Sequence, residues 1–156
     1  MSISRRSVIK AGGGAALYSA LASMGFFAAN PAAAAAWKKD WFETKNIPDT
    51  LKAMGIGATA NSGDITITSP DIAENGAVVP VGATSKLPNT TEIFLIVEKN
   101  PMPLSCGFTI PAGTVAEVQT RLKMGQSTNV IAVVKADGKL YSATKETKVT
   151  LGGCGG

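Results

Sequence analysis

The sequence predicts an all-β fold, an immunoglobulin-like β-sandwich, with an N-terminal helical segment before it and a flexible glycine-rich C-terminal arm after it. Three observations predict it. Apolar and β-branched residues recur in seven short runs at spacings of roughly 8–12 residues, the rhythm of sandwich strands. Turn residues separate the runs, and Asp137-Gly138 is a strong two-residue hairpin turn. No phosphate loop, dinucleotide fingerprint or internal repeat competes with that pattern.

Residues 1–36 read as a leader rather than as fold. Ser4-Arg5-Arg6-Ser7-Val8-Ile9-Lys10 is a charged opening, residues 11–29 are weakly apolar and rich in Gly and Ala, and residues 30–36 offer small-x-small cleavage sites. Arg5 and Arg6 point to the twin-arginine (Tat) export route, and so to a periplasmic protein. A membrane span needs about 20 strongly apolar residues, which this glycine-rich run does not supply. No membrane attachment is therefore expected after cleavage. Cleavage after Ala36 leaves 120 residues, divided into a domain at 37–151 and an arm at 152–156.

The leader takes three of the 15 basic residues and none of the 11 acidic ones, leaving 12 against 11. A nearly neutral domain gives no reason to expect a nucleic-acid partner. The chain has no histidine, which removes the commonest general base, the commonest zinc ligand and any C-x-x-C-H haem attachment. Neither a metal nor a cofactor is expected. Two cysteines, Cys106 and Cys154, are too few for a disulfide framework.

Within the domain, Trp37, Trp41, Phe42, Ile47, Leu51 and Met54 fall loosely at helical spacing. Pro48 belongs in the first turn of a helix over 49–54. The two tryptophans are expected to cover one end of the core. Past Gly55 the pattern becomes β. Residues 64–69 alternate apolar and polar, and 77–81 is a short β-branched run in which Pro80 calls for an edge position or a bulge. Ile93-Phe94-Leu95-Ile96-Val97 makes 91–99 the most apolar strand. Strands over 104–110, 115–124, 129–136 and 140–149 complete the set, the last two flanking Asp137-Gly138. Residues 61–64 and 84–91 read as turns.

The arm stands apart. Gly152-Gly153-Cys154-Gly155-Gly156 surrounds one thiol with the residue that loses most entropy on ordering. Such a segment suits passage through a narrow opening, and five extended residues reach roughly 17 Å. An ordinary thiol has a pKa near ~8.5, so only a small fraction is thiolate at neutral pH. No Lys, Arg or His in the arm lowers that value, and the Gly156 carboxylate opposes it. Cys154 therefore reads as a handle activated inside a partner. An autonomous thiol enzyme lacks a base and a resolving thiol here. Prenylation needs three residues after the cysteine, and two follow. Cys106, next to Gly107 in an apolar strand, reads as a small buried residue, with a disulfide to Cys154 as the other option.

Taken together, these residues resemble the SoxY family, the substrate carriers of the Sox thiosulfate-oxidising system. The resemblance rests on the Gly-Gly-Cys-Gly-Gly tail, the twin-arginine leader and the run Asp71-Ile72-Ala73-Glu74-Asn75-Gly76-Ala77-Val78-Val79-Pro80-Val81. It implies a heterodimer with a leaderless SoxZ-like immunoglobulin-like subunit, exported as a folded complex. It implies that a SoxAX-like haem protein joins thiosulfate oxidatively to Cys154 as a cysteine S-thiosulfonate, and that a SoxB-like hydrolase releases sulfate. The sulfane sulfur left behind is oxidised by a sulfane dehydrogenase or passed to sulfur storage. The chain would then be no enzyme but the covalent substrate of its partners. Cys106 departs from the family's lone tail cysteine and leaves an internal or intersubunit disulfide open. The apolar strand at 93–97 and the Pro80 edge are the candidate docking surfaces for the SoxZ-like subunit.

Two other readings compete. An exported immunoglobulin-like binding module without sulfur chemistry accounts for the strands but not the tail. A ubiquitin-like sulfur carrier ending in Gly-Gly needs ATP-dependent adenylation, which an exported compartment does not offer, and needs no cysteine.

Overall fold

The computed structural model describes residues 38–150. The chain opens with two short helices, α1 (Lys39–Phe42) and α2 (Ile47–Ala53). Asn46 caps α2, its side chain accepting from the Asp49 amide at 2.9 Å, and Pro48 stands in the first turn as the sequence predicts. Gly55, at φ +70°, ends the helix in a left-handed turn. There the Gly55 amide donates to the Lys52 carbonyl and the Ile56 amide to that of Leu51. That closure is a Schellman motif, and it folds buried Ile56 back beside the helix.

Nine strands follow among the described residues: β1 (Ala60–Asn61), β2 (Ile65–Thr68), β3 (Ile72–Ala73), β4 (Val79–Ser85), β5 (Thr90–Val97), β6 (Leu104–Thr109), β7 (Glu117–Leu122), β8 (Thr128–Ala136) and β9 (Lys139–Val149). One sheet runs in the order β1-β9-β8-β5-β6, with β3 also paired to β9, and the other runs β2-β4-β7. The predicted sandwich is therefore present. Asp137 and Gly138 both take positive φ and turn β8 directly into β9, as their sequence signature requires. The Asn89 side chain donates to Asp137 Oδ1 at 2.7 Å and steadies that turn.

The core lies between the sheets. Ile93, Leu95 and Val97 of β5 and Val130, Ala132 and Val134 of β8 meet Ile65, Ile67, Val79, Val81, Ala83, Val118 and Leu122 of the small sheet. The opposite face of the large sheet is also dry. Phe94, Ile96, Val133 and Leu104 form a second cluster with Ile56, roofed by Trp41, Phe42, Ile47 and Leu51. Trp41 meets Phe94 edge-on, with ring centroids 5.9 Å apart. Phe94 in turn lies on Gly107 across the β5–β6 pair, where an added Cβ would sit 2.7 Å from the ring. The helical segment thus covers a sheet face rather than one end of the core, which corrects the expectation for Trp41. Of the two, only Trp41 lies among the described residues.

Two further expectations change, and that for Pro80 holds. β7 is shorter than predicted, and Val115 lies outside it, 77% exposed. Pro80 does sit on an edge stretch: β2 ends opposite Gly82, so β4 at Pro80 has β7 on one side only. The strand at 93–97 is buried on both faces and so cannot serve as a docking surface.

Truncating a side chain that fills the main core at 0% exposure should cost heavily. Leu95→Ala is expected to lower unfolding free energy by about 3 kcal/mol in urea titrations, with the m-value unchanged.

Candidate functional site

The residues that the sequence singles out for chemistry divide between two regions. Cys154, the arm glycines Gly152, Gly153, Gly155 and Gly156, and the leader pair Arg5 and Arg6 lie outside the described residues. What the structure describes is the platform from which the arm leaves, and the second cysteine.

The platform is the far end of β9. Regular pairing with β8 ends at Thr128↔Thr147. Beyond it the Ser127 side chain takes over, accepting from the Val149 amide at 2.9 Å and donating to the Val149 carbonyl at 3.4 Å. On the other edge β3 runs parallel to β9, Ile72 opposite Lys148 and Ala73 opposite Val149. The Lys148 amide donates to the Asp71 carbonyl at 2.9 Å and the Thr150 amide to the Ala73 carbonyl at 3.1 Å. Lys145 reaches across to the Ser69 carbonyl at 2.6 Å and to the Asp71 carboxylate at 3.1 Å. Thr147, fully buried, donates to Ser69 Oγ at 2.9 Å. The opening residues of the run that the sequence singles out, Asp71 to Ala73, therefore lie along the last described stretch of β9. Sequence reasoning missed both β3 and Ser127. A two-residue strand has no periodicity to detect, and a serine offers no local sign of a partner 22 residues away.

Cys106 is placed very differently. It sits on β6, at the free edge of the large sheet, opposite Leu95, and its half-buried side chain packs against the main core. β6 bulges at Ser105, which is why Leu104 and Cys106 face opposite sides of the sheet. Burial pushes the Cys106 thiol up from 9.0 to about 11, against a smaller lowering by a hydrogen bond with the Leu95 backbone. A thiol held neutral in apolar surroundings is a poor nucleophile at neutral pH.

Among the described residues no three of His, Cys, Asp and Glu converge as metal ligands. One open groove, about 780 Å³, runs past Ser69, Pro80, Gly82 and Arg121, and its lining holds neither a nucleophile–base pair nor a carboxylate. No described helix is long and apolar enough to cross a membrane.

Comparison with known proteins agrees with this arrangement. The model of the sulfur oxidation protein SoxY family matches residues 51–154, a span that runs from α2 through the fold to Cys154. The chain belongs to the SoxY family. Among solved structures it is similar to the sulfur carrier protein SoxY from Chlorobium limicola f thiosulfatophilum. The two are 35% identical with a TM-score of 0.63, over 73% of this chain and all of that one. A variant of the superoxide reductase neelaredoxin from Ignicoccus hospitalis matches at 21% identity and a TM-score of 0.50, over 60% of this chain and 83% of that one. That second likeness shows the fold alone. No curated protein matches the chain.

Alkylation of Cys106 with iodoacetamide is expected to stay slow through pH 8–9 and to keep rising toward pH 11. Peptide mapping after timed quenching follows Cys106 separately from the tail peptide.

Proposed function

We propose that this SoxY-family chain is a periplasmic, Tat-exported carrier that holds thiosulfate-derived sulfur covalently on Cys154 and presents it to partner enzymes. The observation that carries the reading is that the family match extends to Cys154, the thiol at the centre of Gly-Gly-Cys-Gly-Gly. The solved relative is itself named a sulfur carrier protein. The environment of Cys106 supports Cys154 as the attachment point, because a half-buried thiol raised to about 11 is ill suited to exchange.

The chemistry is simple to balance. Loading joins the Cys154 sulfur to the sulfane sulfur of thiosulfate, releasing the thiol proton and two electrons to a SoxAX-like haem protein. Hydrolysis by a SoxB-like enzyme then adds water across the sulfur–sulfur bond to the sulfonate, giving sulfate and leaving a persulfide on Cys154. A sulfane dehydrogenase, or transfer to sulfur storage, clears that persulfide. In each step the partner supplies the activation, and this chain supplies a thiol with little bulk around it. A SoxZ-like subunit completes the carrier as a heterodimer, for which the exposed Pro80 edge is the remaining candidate surface.

Cys154→Ser is expected to abolish sulfur loading in a reconstituted thiosulfate-oxidation assay, and intact-mass analysis of the native protein should place adducts on the tail peptide. Adducts confined to Cys106 would refute the assignment. Gly153→Val with Gly155→Val should leave the urea midpoint unchanged and slow both loading and unloading, since the added bulk flanks the thiol. Unchanged turnover would remove the steric argument.

A further inference from the structure

We propose that residues 71–76 and Ser127 form a clamp that positions the root of the thiol-bearing arm, an inference that rests on the carrier reading of Cys154. The β8–β9 ladder ends at Thr147, and beyond it Lys148 and Val149 pair only with the two residues of β3. Yet Lys148, Val149 and Thr150 are held from both sides. Ser127 satisfies the amide and carbonyl of Val149 with a single hydroxyl. The carbonyls of Asp71 and Ala73 take the amides of Lys148 and Thr150. The Thr150 hydroxyl shares its one proton between the carbonyls of Ala73 and Glu74, each 3.4 Å away.

Gly76 closes the clamp from beneath. Its carbonyl accepts from the Met124 amide at 2.7 Å. A Cβ there would collide with the Met124 carbonyl oxygen and lie 2.7 Å from Val149 Cγ1. A side chain at position 76 therefore forces the Met124 backbone, the Val149 side chain or the turn around Gly76 itself to shift. Asn75 holds the preceding turn by accepting the Ala77 amide at 2.9 Å.

The consequence is a matter of tether length. Cys154 is four residues beyond Thr150, so the covalent chain limits it to about 14 Å from a fixed point. If the clamp let go back to Thr147, seven residues would separate anchor and thiol, and the limit would grow to about 25 Å. The volume swept would rise roughly fivefold, and the thiol's effective concentration at a docked active site would fall to match. Residues 71–76 and Ser127 are thus positioning residues for Cys154. They keep its tether short and its origin constant as partners exchange.

The test uses the full-length protein with Cys106→Ala, so that a nitroxide label attaches to Cys154 alone. The parent should broaden amides near the clamp, at 71–76 and 124–128. In Gly76→Val the broadened zone should spread along both sheets, and amide exchange at Thr150 should quicken by about tenfold or more while core amides such as Leu95 hold. Ser127→Ala is the milder variant, keeps the test valid should Gly76→Val misfold, and should give the same changes in smaller measure. An unchanged footprint in both variants overturns the clamp. Faster Thr150 exchange with undiminished sulfur loading overturns its positioning role. Failure of the carrier reading would look different: the parent would carry no sulfur on Cys154 at all.

Discussion

Strands β5 and β8 are apolar at successive positions, and the rest of the molecule is arranged to keep both of their faces dry. An antiparallel sheet with one wet face would show alternation, and here it is missing: Ile93, Leu95 and Val97 face one way, Phe94 and Ile96 the other, and all are buried. One face is covered by the three-stranded sheet. The other needs a roof, which α1 and α2 provide through Trp41 on Phe94 and Leu51 with Ile56. The helical segment is therefore the second half of a core rather than an appendage, and each buried side chain of that size is worth about 2 kcal/mol of transfer free energy.

β9 meets the opposite demand. It is the longest strand, largely half-exposed, and its outer edge would be an open invitation to other strands. The chain closes that edge with residues 60–73, which pair with β9 as β1, cross to the other sheet as β2, and return to pair with it again as β3. Two separate two-residue strands do what one long strand would do elsewhere, and the amides of Lys148, Val149 and Thr150, the last described residues, all find acceptors.

The two cysteines stand in different surroundings, one in the fold and one in a run of glycines. Cys106 is desolvated against the core and its thiol is held in the neutral form, a small apolar filler on an edge strand. Cys154 is flanked by glycines, with no lysine, arginine or histidine in the arm to shift it. A carrier benefits from that division, because a second reactive thiol would compete for the sulfur and invite unwanted disulfides.

Local features were legible from the residues. The hairpin at Asp137-Gly138, the helix stop at Gly55 and the edge placement of Pro80 all depend on neighbours within a few positions, where backbone sterics and composition decide. The helices' placement on a sheet face was not legible, because helical spacing reveals an apolar stripe but not which surface it meets. Nor was the clamp. Ala73 and Thr150 are 77 residues apart, and neither Gly76 nor Ser127 carries a local sign of its partner. The thiol and its glycine setting were determined by the sequence itself, since bulk, charge and chain freedom at five consecutive residues are local properties. Where the chain that carries the thiol is tied down was decided only by tertiary structure, because hydrogen bonds between distant segments exist only once the sheets have closed.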